Sequence, residues 1–145
     1  MSSDLYAAKL RLLQDSALTC VLCKEGVFYS STQKGIAPMM TFLDDGISLR
    51  GFSAADRIVG KAAAMLFALA GVREVFSEVI TPDAIRILER YGIAYAYDTL
   101  AEKIINRAGT GPCPMEETVA QIESLNEARE AIRQTMLKLR EKQSF

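Results

Sequence analysis

Ser53-Ala54-Ala55-Asp56-Arg57-Ile58-Val59-Gly60-Lys61-Ala62-Ala63-Ala64, carried on to Gly71, reads as the clearest helix of the chain. Ser53 fits an N-cap, Asp56 would set its carboxylate in the positive first turn, and Gly71 is an ordinary stop. Glu74 to Ile80 follows as a strand, and Thr81-Pro82-Asp83 starts a second helix that ends at Tyr91-Gly92. Ile93 to Tyr97 is a further strand, and Thr99-Leu100-Ala101-Glu102 is a capping box for a short helix.

Upstream, Leu5, Ala8, Leu12 and Leu13 share one face of an amphipathic helix over residues 3–15. Ala17 to Cys23 is apolar on both faces, which fits a fully buried strand. Glu25-Gly26 signals a tight turn, with Val27-Phe28-Tyr29-Ser30 returning as the antiparallel partner. Pro38 opens a short helix ending at Asp44-Asp45-Gly46. Downstream, Met115, Val119, Ile122, Leu125, Ala128, Ile132, Met136 and Leu139 recur at helical spacing and predict one long helix over about 114–142. At roughly 40 Å such a helix lies across the whole body or projects beyond it. A projecting apolar stripe needs a partner, so a homo-oligomer is expected, with a dimer favoured.

The 145 residues suit one domain spanning 1–145. A net charge of −1 provides no basic field for nucleic acid. Met1-Ser2-Ser3-Asp4 lacks the plan of a signal peptide, and the longest apolar run, Ala62 to Ala70, is too short to cross a bilayer. Neither nucleic acid nor membrane is therefore an expected partner. Three cysteines argue against a secreted disulfide framework. A cytoplasmic protein is expected.

The chain has no histidine, which excludes Ser-His-Asp and Cys-His pairs and every His-bearing zinc motif. Cys20 and Cys23 have redox spacing, but three steps along a strand point them to opposite faces, so they read as buried apolar residues. Asn106-Arg107-Ala108-Gly109-Thr110-Gly111-Pro112-Cys113-Pro114-Met115-Glu116 concentrates polar groups, turn residues and a thiol where the last helix begins. Pro114 suits the first helical position, which makes Cys113 the N-cap. There it is either a thiol activated by the helix terminus or a capping residue in a rigid Pro-Cys-Pro turn. Asn106 and Arg107 before the Gly-Thr-Gly turn fit an anion site, or equally a helix cap and a surface arginine.

Gly60 within a helix suggests close approach by a neighbouring element. Gly60-Lys61 is not a phosphate loop, since Ala55 and Ala62 stand where glycine and Ser or Thr are required. Lys61 is either a solvated surface lysine or reaches across the helix into a pocket. Glu78 reads as exposed on an edge strand. Thr81, at the carboxyl end of its strand, stands where α/β sheets place ligands.

Ala55-Asp56-Arg57-Ile58-Val59-Gly60-Lys61-Ala62-Ala63 together with Asn106-Arg107 and Gly111-Pro112-Cys113-Pro114-Met115-Glu116 resembles a bacterial domain family of unknown function whose fold is grouped with the cytidine-deaminase-like proteins. The resemblance covers roughly residues 4–120. It implies a three-layer α/β/α domain, cytidine-deaminase-like, whose mixed sheet opens on a β-hairpin. In true deaminases the helix after the hairpin carries a His or Cys ligand and a catalytic Glu, and the next begins with two Cys ligands. The resemblance sets Ser53 to Asp56 at the first position and Thr81-Pro82-Asp83 at the second, so neither metal nor cofactor is expected.

Asp56, Lys61, Asn106, Arg107, Cys113 and Glu116 match the family's motifs. One expectation is therefore a zinc-independent enzyme or small-molecule domain taking an anionic, nucleotide-like ligand. Asn106, Arg107, Glu116 and Thr81 would bind it, Cys113 would be the nucleophile, and Lys61 or Asp56 would move protons. The other is a non-catalytic oligomerisation or interaction module, acting through residues 119–139, in which the polar cluster is structural.

Overall fold

The structure, a computed structural model, describes residues 1–106 and 108–143. The hairpin β1 (Cys20–Lys24) and β2 (Val27–Ser31) turns at Glu25 and Gly26, whose φ values of 47° and 82° are those of the tight turn that Glu-Gly signals. β3 (Ser53–Val59) pairs antiparallel with β1, and β4 (Glu74–Ile80) and β5 (Ala94–Leu100) add parallel strands, giving the order β2-β1-β3-β4-β5. α1 (Ser3–Gln14) covers one face, packing Leu5, Ala8 and Leu12 on Val21, Cys23, Ala55 and Phe76. The opposite core is built from α2 (Ala37–Asp44), α3 (Lys61–Ala70) and α4 (Pro82–Arg90), with α5 (Pro114–Val119) and α6 (Leu125–Gln143) joining it. This is a mixed α/β/α domain opening on a hairpin.

The expected helix from Ser53 to Gly71 is a strand followed by a helix. Ala54 and Ala55 favour a helix in isolation, but β3 lies between β1 and β4, and ladder pairing on both sides overrides a weak local preference. Ser53 is therefore no N-cap and Asp56 no first-turn carboxylate; both are buried in the sheet. Gly60 stands alone between β3 and α3 as the actual N-cap.

The capping box at Thr99 is likewise absent, because β5 runs through Leu100. Glu78 is not on an edge, since β4 lies between β3 and β5, and it forms an ion pair with Arg57. The last helix is two helices. Its path turns after Val119 and restarts at Ser124, whose carbonyl accepts from Ala128 N (2.9 Å) and whose Oγ accepts from Glu127 N (3.4 Å). α6 is thus roughly 28 Å long. It lies against the body: Ala128 and Ile132 are buried and Leu125 and Met136 pack on the same core. The apolar stripe is therefore covered by its own domain.

The ladder breaks once. Pairing runs through Asp56–Ser77–Tyr97 and resumes at Ile58–Val79–Thr99, with no pair at Arg57, Glu78 and Asp98 between them. Ala54 and Val59 consequently face the same core although five residues apart, and so do Val75 and Ile80. Arg57 uses the break to reach sideways. Its guanidinium donates to Leu12 O (2.8 Å), Asp15 O (3.1 Å) and Leu18 O (3.1 Å), closing the carboxyl end of α1.

Candidate functional site

The parallel strands β3, β4 and β5 end on one side of the domain, and that end gathers most of the polar residues singled out from the sequence. A one-residue step at Gly60 turns β3 into α3, leaving the first N–H groups of the helix pointing outward. Glu116, from α5, fills that position. Its Oε1 accepts from Lys61 N (2.7 Å) and its Oε2 from Ala62 N (2.9 Å). A carboxylate at a helix N-terminus is favoured by both the free donors and the dipole. Gly60 is what admits it: a Cβ there would overlap Glu116 Oε1 and lie 2.5 Å from Ile104 Cδ1. The close neighbour expected at Gly60 is thus the Glu116 carboxylate, backed by Ile104.

Lys61 is buried and not on the solvated helix surface. Its Nζ donates to Ala120 O (3.2 Å) and pairs with Glu123 Oε2 (2.7 Å). Glu123 also receives Arg86 Nη1 (2.7 Å) and Arg90 Nη1 (3.3 Å) from α4. The hydrogen bonds from Arg86 and Lys61 hold its carboxyl down to about 2. One carboxylate in the α5–α6 connection therefore ties together α3 and α4. No sequence signal marked Glu123, because a lone acid after an apolar stripe resembles any surface residue. Lys61→Met should keep the packing and leave Glu123 its two arginines, at a cost of no more than about 1 kcal/mol. Lys61→Ala opens a cavity and should cost about 2–4 kcal/mol. Urea midpoints of the two variants would give that order.

Thr81 caps α4, its Oγ1 accepting from Ala84 N (3.2 Å). With Glu116 it borders a cleft of ≈ 250 Å³ shared with Asp83, Glu102, Lys103 and Glu117. Its lining holds more carboxylates than cations. Cys113 does precede α5 as its N-cap, and its side chain makes no capping bond. Asn106 is turned onto its own loop: Oδ1 accepts from Thr110 N (3.0 Å), Nδ2 donates to Thr110 Oγ1 (3.3 Å), and its N–H reaches Gly111 O (2.8 Å). Arg107 lies outside the described residues.

Asp56 stands apart, inside the sheet between Cys20 on β1 and Ser77 on β4. Burial pushes its carboxyl up to about 8, against the pull of the Arg57 and Ile58 backbone N–H groups and the Arg57 charge. The bond from Arg57 N is 2.7 Å long. Asp56 thus satisfies backbone donors where the ladder breaks. Burial, with the Asp56 charge second, raises the Cys20 thiol well above its ordinary value. Cys20 and Cys23 face opposite cores.

The helix after the hairpin is α2, beginning Ala37-Pro38-Met39, and the next is α3, beginning Lys61-Ala62-Ala63. Neither first turn contains a cysteine or a histidine. Among the described residues no three acidic or cysteine side chains converge on a point where a metal could sit. No helix among them is long and apolar enough to cross a membrane.

Residues 8–136 match a family described as a domain of unknown function, DUF1893. No curated protein matches the chain. A DUF1893 family protein from Thermotoga maritima has a similar structure, with a TM-score of 0.82 at 21% identity over 92% of this chain and 91% of that one. Two deaminases overlap it more weakly. The dCMP deaminase of cyanophage S-TIM5 gives a TM-score of 0.45 at 12% identity, over 68% of this chain and 94% of its own. The T. maritima diaminohydroxyphosphoribosylaminopyrimidine deaminase/5-amino-6-(5-phosphoribosylamino)uracil reductase gives 0.42 at 15% identity, over 56% of this chain and 29% of its own.

Proposed function

The chain belongs to the DUF1893 family, and from that premise we propose that it is a non-catalytic interaction domain acting through self-association, its polar cluster being structural. The observation that carries this reading is the consumption of the charged groups by one another. Glu116 occupies the first turn of α3, Lys61 is held by Ala120 and Glu123, and Asn106 closes its own turn. An anionic, nucleotide-like ligand would need donors at that end of the sheet, and among the described residues the Lys61 and Ala62 N–H groups and the Lys61 ammonium are already held by Glu116 and Glu123. Surface hydrophobicity supports association instead. Tyr97 and Leu100 on β5 and Ile105 just beyond it are all exposed.

The test is a thermal-shift panel of nucleotides, phosphorylated metabolites and divalent metals, run beside Glu116→Gln. The interaction reading expects no compound to move the melting temperature. A rise of several degrees with one ligand class, altered in Glu116→Gln, would overturn it in favour of a small-molecule site.

A further inference from the structure

The sheet ends at β5, and its outer side presents backbone groups in a definite pattern. In a parallel ladder each residue turns its N–H and C=O to one neighbour and the next residue turns them to the other. Ala94 N donates toward β4, to Arg73 O (3.4 Å). Ala94 and Ala96 therefore face the sheet, while Tyr95 and Tyr97 direct their groups away from it. Natural proteins blunt such edges with lysine, proline or inward-pointing charge. The stretch Ala94-Tyr95-Ala96-Tyr97 has none of these, and the ladder break and the charge of Asp98 come only after it. Its two rings stack with centroids 6.4 Å apart, and Tyr97 is 41% exposed.

We propose that a second copy of this chain pairs antiparallel on the β5 edge, with Tyr95 of each copy facing Tyr97 of the other about a two-fold axis at Ala96. This rests on the self-association reading above. The partner follows from complementarity: outward N–H and C=O groups carry opposite partial charges, and an inverted copy of the same strand presents them in matching order. A two-fold axis normal to a sheet keeps each side chain on its own face, so residues of equal parity must pair and the axis passes through a residue.

An axis at Ala96 aligns the outward groups of Tyr95 and Tyr97 and lets two small side chains meet at the close, non-hydrogen-bonded position. It also sets Asp98 against Ala94, which keeps the two carboxylates apart. An axis at Asp98 would oppose them directly. An axis at Tyr97 would set Tyr95 against Thr99, past the ladder break, where the direction of the groups has changed. The change shows at Ala101, an odd number of residues from Ala94, whose N–H again donates toward β4, to Ile80 O (2.9 Å).

Light scattering of the whole chain at micromolar concentration should give twice the 15.9 kDa of one copy. Tyr97→Lys and Tyr97→Pro should each weaken association at least tenfold. The N–H of Tyr97 points outward, so proline there removes no bond to β4. Circular dichroism and melting temperature would check that both variants stay folded, and Tyr97→Lys, which keeps the backbone intact, decides the matter if the proline variant does not. A monomeric wild-type chain would overturn the self-association reading and this pairing with it. A dimer that persists in folded Tyr97→Lys would overturn the β5 pairing alone.

Discussion

Gly60→Ala is expected to lower stability by about 2–4 kcal/mol, an unusual cost for adding one methyl group. The backbone is not the reason. Gly60 has φ −103° and ψ −171°, a conformation alanine adopts freely, and a glycine replaced at such a site ordinarily gains about 0.4–1 kcal/mol. The cost arises from what lies opposite. The new Cβ would displace the Glu116 carboxylate and press on Ile104. The N–H groups of Lys61 and Ala62 would then lose their charged acceptor.

Glu116→Ala removes the same two bonds without the collision and should cost about 1–3 kcal/mol. The double variant should therefore lose much less than the sum, because the clash vanishes once Glu116 is truncated. Urea unfolding of the four proteins closes the cycle. Additive losses, or a stabilising Gly60→Ala, would show that the carboxylate swings aside without consequence.

The stability of the folded chain should fall as pH rises from about 4 to about 8, and Asp56→Asn should remove that slope. The folded-state carboxyl of Asp56 titrates at about 8 against a reference value of 3.8. Between those values the folded protein holds a proton that the unfolded chain has released, so raising the pH favours unfolding. The contribution is complete below the lower value and lost through the upper one, with a limiting slope of ~1.4 kcal/mol per pH unit.

Asp44, bound by Arg133 and Arg129, and Glu123, bound by Arg86 and Lys61, act in the opposite sense. Both titrate at about 2, so their stabilisation is lost as pH falls from the ordinary carboxylate range toward 2. Maximum stability is accordingly expected near pH 4–5. Asp56→Asn should overtake the wild type at alkaline pH. A wild-type profile flat from pH 4 to 8 would show that Asp56 titrates normally and that water reaches it.

Local chemistry made part of this fold readable. Glu25-Gly26, Pro38 and Thr81-Pro82 each satisfy a specific turn or cap, and each stands where its chemistry placed it. Ser53 to Val59 was misread because alanine in a strand looks like alanine in a helix, and only the flanking strands decide between them. Gly60 was the better signal: a glycine amid an apolar run pointed to a close neighbour, although within a presumed helix it gave no sign of the boundary between β3 and α3. The break after Val119 escaped because the apolar spacing continues through it, with Ile122 and Leu125 still packing on the core. Of the candidate site, the motif residues were legible as a cluster but their partners were not. Glu116 binds backbone 55 positions away and Lys61 a carbonyl 59 positions away, and no local pattern encodes such distances.

That separation also sets an order of events. A chain emerging from the ribosome would present β3 and α3 long before the segment that completes them. Until Glu116 and Ala120 appear, the first turn of α3 lacks its acceptor and the Lys61 ammonium its carbonyl. The residues before Glu116 therefore form a body whose α3 terminus is still unfinished. At about 5–20 residues per second the completing segment follows Gly60 by several seconds, so this domain should commit to its native state only once residues 116–123 have emerged.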